Sequence, residues 1–204
     1  MPRATLHNRQ DSLERALHLF WQKGFHATSL KDLERVLDMR PGSIYATFGS
    51  KDALFQEALE RYARLALVEL ERIMAEHPSP LSGLAAYLRK LGGLRDSEVP
   101  SRACMLMKSL LELGEREQVA LSKAETLLVA MEQRFVERFE AARDAQELPA
   151  GADPVRLGRR MQAEVMGLRA FAQRDVDSAA VHALAEDMAD AIEALRSQKK
   201  PRLG

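Results

Sequence analysis

The chain has 204 residues, 46% of them hydrophobic and 29% charged, with 30 Lys/Arg balancing 30 Asp/Glu. That length can bury a sizeable core in one or two domains, and the scarcity of Val and Ile beside abundant Ala, Leu, Glu, Arg and Met makes all-α the natural class. No apolar run approaches the roughly 18 residues of a membrane span, the opening MPRATLHNRQ has no signal-peptide core, and the single cysteine excludes an intrachain disulfide, all consistent with a cytoplasmic setting without membrane attachment.

Periodicity predicts about nine helices. The first covers residues 11–23, with Leu13, Ala16, Leu17, Phe20 and Trp21 inward and Gly24 as its stop. Trp21 reads as core. The second opens at Thr28-Ser29, whose hydroxyls can accept from free helix N–H groups. Leu30, Leu33, Val36 and Leu37 give it one apolar face, and Asp38 ends it in a conformation that Asp tolerates better than most residues. Pro41 suits the first turn of a third, short helix over 41–48, because its missing N–H would be unpaired there. Ile44 and Phe48 face inward; Gly42, Ser43, Tyr45, Ala46 and Thr47 are left outside. Such a short helix, held by its predecessor at a tight turn, is what the DNA major groove admits.

Ser50 caps a long fourth helix reaching about residue 77, long enough to join a head to a body as one strut. Pro78 and Pro80 end it. Further helices are expected over 81–91, 101–113, 115–145, 153–173 and 178–197, and the tail KKPRLG reads as disordered. The division expected is a DNA-binding head over 1–51 and a ligand-binding and dimerisation body over 52–204. Residues 1–51 hold eight Lys/Arg against five Asp/Glu, so a modestly basic head sits on a modestly acidic remainder.

Gly24-Phe25, Thr28-Ser29, Asp32-Leu33, Gly42-Ser43-Ile44-Tyr45 and Phe48-Gly49-Ser50-Lys51, followed by Asp52-Ala53-Leu54, together resemble the helix-turn-helix of the TetR family of bacterial transcriptional regulators. Asp38 stands where that family usually has Gly, and Thr47 where many members have a phosphate-reaching His. The resemblance implies a three-helix head, a variable helical body and no enzymatic activity. It implies a DNA-facing set of Thr28, Ser29, Arg40, Pro41, Gly42, Ser43, Tyr45, Thr47 and Lys51, with Tyr45 and Lys51 similar to the family's phosphate clamps. Arg102-Ala103-Cys104-Met105 resembles the opening of the sixth helix in members where a Cys senses electrophiles or oxidants.

Two readings stand for Cys104. In the first turn of its helix, beside Arg102 and Lys108, it is a reactive thiol favoured by the helix dipole; alternatively it is a small buried hydrophobe. Met105, Met107, Met131, Phe135, Met166 and Phe171, with Cys104, form a candidate pocket for a small apolar or electrophilic inducer, and core filling is the competing reading. Stripes Leu157, Met161, Val165, Leu168 and Ala172 on the eighth helix, and Val181, Leu184, Met188, Ile192 and Leu195 on the ninth, are expected to pair across a homodimer, with burial inside the chain as the competing reading.

Catalytic, cofactor and metal chemistry find no pattern: the five His are scattered, with no HExxH and no glycine-rich phosphate loop. The function expected is a homodimeric repressor at a palindromic double-stranded operator, released by an inducer or by modification of Cys104. A DNA-binding activator or architectural module without ligand response, or a helical interaction protein, is the alternative.

Overall fold

The computed structural model describes residues 3–196, with side chains from residue 9 onward. The tail expected to be disordered lies outside these residues. Nine α-helices are present among the described residues, and no strand. They are α1 (Arg3–Lys23), α2 (Leu30–Leu37), α3 (Pro41–Phe48), α4 (Lys51–Ala75), α5 (Pro80–Gly92), α6 (Met105–Glu112), α7 (Gln118–Asp144), α8 (Pro154–Gln173) and α9 (Ser178–Glu193). Among the described residues no helix is long and apolar enough to cross a membrane.

Two compact units are formed, and they do not follow a cut at residue 51. One comprises Met1–Ala66 with Val99–Val129; the other comprises Leu67–Glu98 with Ala130–Gly204. The first unit therefore contains α6 and the opening of α7 as well as α1 to α3.

Its core is aromatic. Phe55 of α4 stands edge-on to Phe20 and tilted against Phe25, both at 5.0 Å between ring centroids. Leu17, Leu33, Ile44, Leu54 and Leu59 are fully enclosed around them. Ile44 and Phe48 face inward from α3, as their spacing of four requires.

In the second unit α5 lies along α9, with α8 against both. Leu84, Leu88, Phe139, Met161, Leu168, Val181 and Ile192 share one apolar cluster. Gly158 lets α8 approach α7 closely: a Cβ there would stand 2.5 Å from Val136 Cγ2. Outside this core Arg89 of α5 pairs with Glu186, Asp190 and Glu193 of α9. These are exposed pairs, each contributing at most about 1 kcal/mol.

Cys104 is the N-cap of α6 rather than part of its first turn, its carbonyl accepting from Lys108 N at 3.0 Å. The helix starts four residues later than the expected 101, because Cys104 is extended at φ −65 and ψ 127, and the carbonyl of Ala103 before it accepts from the Trp21 indole. The start expected at 115 is a 3-10 turn, Glu115–Glu117, before α7 proper.

Candidate nucleic-acid interface

The geometry around α2 and α3 follows from local capping. The Ser29 hydroxyl accepts from Asp32 N at 3.1 Å, while Asp32 Oδ2 accepts from Ser29 N at 3.0 Å and from its hydroxyl at 2.8 Å. This reciprocal box satisfies donors that a helix start leaves orphaned. Lys23 also donates to Asp32, at 3.0 Å. Together Lys23 first, then Ser29, hold the Asp32 carboxyl well below the ordinary carboxylate range.

Asp38 ends α2 at φ 53 and ψ 45, the left-handed conformation its side chain tolerates. Arg40 is extended, and Ser43 N and Ile44 N both donate to its carbonyl. Gly49 then ends α3 at φ +83, and Ser50 caps α4 by accepting from Ala53 N at 3.0 Å. Both ends of the short reading helix are thereby fixed by backbone geometry.

Its outer face carries exposed Gly42, Ser43, Tyr45 and Ala46, continuous with exposed Arg40. Gly42 is informative because nothing lies within 4 Å of where its Cβ would be. No neighbour in the fold needs a glycine there, although glycine is a poor helix former. Thr47 is half-buried and donates its hydroxyl back to Ser43 O at 2.8 Å, leaving its oxygen only as an acceptor. Pro41 is half-buried at the first turn, and Ser29 stays exposed with its hydroxyl in the capping box.

Two residues of the expected DNA-facing set have other roles. Thr28 is corrected outright: it is fully buried and its hydroxyl donates to Gly24 O at 2.6 Å, so it closes a turn instead of meeting a ligand. Lys51 is half-buried with its ammonium 4.2 Å over the Phe25 ring. Burial pushes its pKa below the ordinary lysine value, against the pull of Asp52. Periodicity had missed Lys31 and Arg35, exposed on α2, which line one cleft with Glu34, Asp38, Met39 and Arg40. Their i, i+4 spacing was the available signal.

The expected pocket residues fall into both units. Cys104, Met105 and Met107 belong to the first, Met131, Phe135, Met166 and Phe171 to the second. Cys104 and Met105 are buried, as are Met131 and Phe135, the last tilted against Tyr87 at 6.1 Å between ring centroids. Lys108, expected to favour a Cys104 thiolate, instead donates to Trp21 O at 2.7 Å. The expected dimer stripes need correction as well. Met161, Val165, Leu168, Ala172, Val181 and Ile192 are buried in the chain's own second-unit core, so a partner has no access to them. Leu157, Leu184, Met188 and Leu195 are partly buried against that core. Stripes of this kind mark a buried face without saying what buries it.

A short, doubly fixed helix showing small and hydroxyl side chains outward, behind a tight turn from a capped partner, defines a helix-turn-helix transcriptional regulator. Residues 13–58 match the model for bacterial regulatory proteins of the tetR family. The chain is 27% identical over 168 residues to the HTH-type transcriptional repressor ComR of Escherichia coli, covering 81% of this chain and 80% of ComR. A putative TetR transcriptional regulator from Rhodococcus is 30% identical, with a TM-score of 0.60 over 91% of this chain and 98% of that one. A cysteine-substituted form of the TetR family regulator CifR, complexed with 26-base-pair operator DNA, is 27% identical with a TM-score of 0.82, covering 89% of this chain and 95% of that one. The chain belongs to the tetR family of bacterial transcriptional regulators, which are not enzymes.

Proposed function

We propose that the chain is a repressor that binds a palindromic operator as a homodimer and leaves it when an inducer binds or Cys104 is modified. The observation carrying this reading is the outer face of α3, where Gly42 is open to solvent and has no internal reason to be glycine. A bare backbone suits close approach to a base edge or a thymine methyl. Ser43, Tyr45, Arg40 and Lys31 around it supply phosphate and base donors. The repressor assignment is supported by ComR, named as one, and by the operator complex of CifR.

Pairing through α8 and α9 is retained, on a different face. Ala163, Gly167 and Ala170 are exposed at i, i+4 and i+7 along α8, and nothing lies within 4 Å of a Cβ at Gly167. Small side chains permit helices of two subunits to approach closely. A two-fold axis then sets two heads about one helical turn, roughly 34–36 Å, apart on DNA. The inducer would meet apolar side chains of the second unit such as Met166 and Phe171, while Cys104 of the first would respond to electrophiles small enough to reach a buried thiol.

Selecting bound fragments from the source genome and footprinting them tests this. A protected two-fold-symmetric site is expected, occupied by two chains and released by an electrophile in the unaltered protein but not in Cys104→Ser. Protection of a lone half-site by one chain would refute the dimer, and identical release from both proteins would refute the thiol mechanism.

A further inference from the structure

We propose that Lys108 and Glu112 of α6 are positioning residues of the DNA-reading head, pinning the corner between α1 and α2 from which the reading helix is hung. The two side chains are one helical turn apart and so share a face. Glu112 accepts from Phe25 N through Oε2 at 3.1 Å and from His26 N through Oε1 at 2.6 Å. Lys108 donates to the carbonyls of Trp21 at 2.7 Å and Gln22 at 3.3 Å. The last carbonyls of a helix have no partner within it, and an ammonium there also suits the helix dipole. One helical turn of α6 therefore supplies a cation to the end of α1 and an anion to the amides that follow.

Three further features converge on the same corner. The Trp21 indole donates to Ala103 O, beside the N-cap of α6, at 2.7 Å. Gly24 sits at φ +88, and a Cβ on it would stand 2.5 Å from Glu112 Oε2, so the corner is shaped around that carboxylate. Thr28 then ties its hydroxyl to Gly24 O immediately before the Ser29 cap of α2. An unbroken series of hydrogen bonds thus runs from Glu112 to the start of the helix-turn-helix. Charge-assisted bonds to backbone are the stronger and more directional kind. Exposed apolar contacts would have left the same corner free to slide.

This inference rests on the DNA-reading role proposed above. Operator affinity is measured for the unaltered chain, Glu112→Ala, Glu112→Gln and Lys108→Met across a range of salt, alongside helix content and the emission of Trp21, the single tryptophan. Glu112→Ala and Lys108→Met should each weaken binding about tenfold, within the usual span of coupling between sites. Trp21 emission should change while helix content holds. The salt slope should stay constant, since neither side chain touches phosphate and only a lost phosphate contact lowers it. Glu112→Gln keeps one acceptor oxygen and should fall between, and it decides the matter should the Ala variant fail to fold. Unchanged affinity in the folded variants, or a loss accompanied by a smaller salt slope, would overturn the positioning role. Failure of the unaltered chain to bind any selected DNA would overturn the DNA-reading role and this inference with it.

Discussion

Each unit is held together internally, and the balance of contacts differs between them. In the second, α5, α8 and α9 meet chiefly through Leu84, Leu88, Leu168, Val181 and Ile192, and side-chain bonds to backbone are fewer, with Arg95 donating to Ala172 O and Glu147 accepting from Leu81 N. In the first, an aromatic core is supplemented by side chains gripping backbone: Trp21 on Ala103, Lys108 on Trp21 and Gln22, Glu112 on Phe25 and His26. Apolar packing is non-directional and tolerates exchange of similar volumes. Hydrogen bonds to fixed carbonyls and amides set an angle. The first unit, proposed to present one short helix to a groove, draws more on the second kind, and the second unit more on the first.

The sharpest test of that contrast is Phe139→Ala in the second unit. Phe139 is fully buried, so the variant should lose about 3–5 kcal/mol of stability in a denaturant titration. A loss below about 1 kcal/mol would mean that apolar burial does not dominate there. In the first unit Gly42→Ala should act in the opposite sense. With open space at that Cβ, melting should be unchanged or improved by up to about 1 kcal/mol, while operator affinity drops roughly tenfold, the scale of one spoiled base-pair contact. Full affinity in an anisotropy titration would show that DNA does not approach Gly42 closely.

The smallest effect is expected at Asp32. Its folded carboxyl titrates below the unfolded value of about 3.9. It therefore contributes stability that is complete above that value and fades as pH falls through the folded one. Asp32→Asn should be slightly less stable at neutral pH and lose less on acidification. Parallel melting curves down to about pH 2 would remove the capping box from the account.

Much of the head was legible because its signals are local. Ser29, Asp38, Pro41, Gly49 and Ser50 fix their boundaries through their own backbone preferences, and α3 covers the stretch that Pro41, Ile44 and Phe48 predict. What stayed hidden depends on partners distant in the chain. Nothing near Thr28 reveals that its hydroxyl is enclosed, since that needs Gly24 and the walls around it. Glu112 reads as ordinary surface charge until Phe25 and His26 are brought to it. The stripes on α8 and α9 report burial faithfully, but periodicity is the same whether another helix of the chain or a second subunit does the burying. Cys104 is a cap, not a first-turn residue, since its backbone is extended, and the Trp21 indole bonded to the preceding carbonyl is a partner distant in the chain.

The corner at Gly24 also constrains how this sequence can drift. Any side chain at position 24 would need to adopt a positive φ and at the same time displace the carboxylate of Glu112. A shorter acid at 112 would vacate the space but release both amides. A side chain at position 24 therefore requires a change at 112 as well, so homologous sequences that lack glycine at 24 should also lack glutamate at 112 despite the separation along the chain.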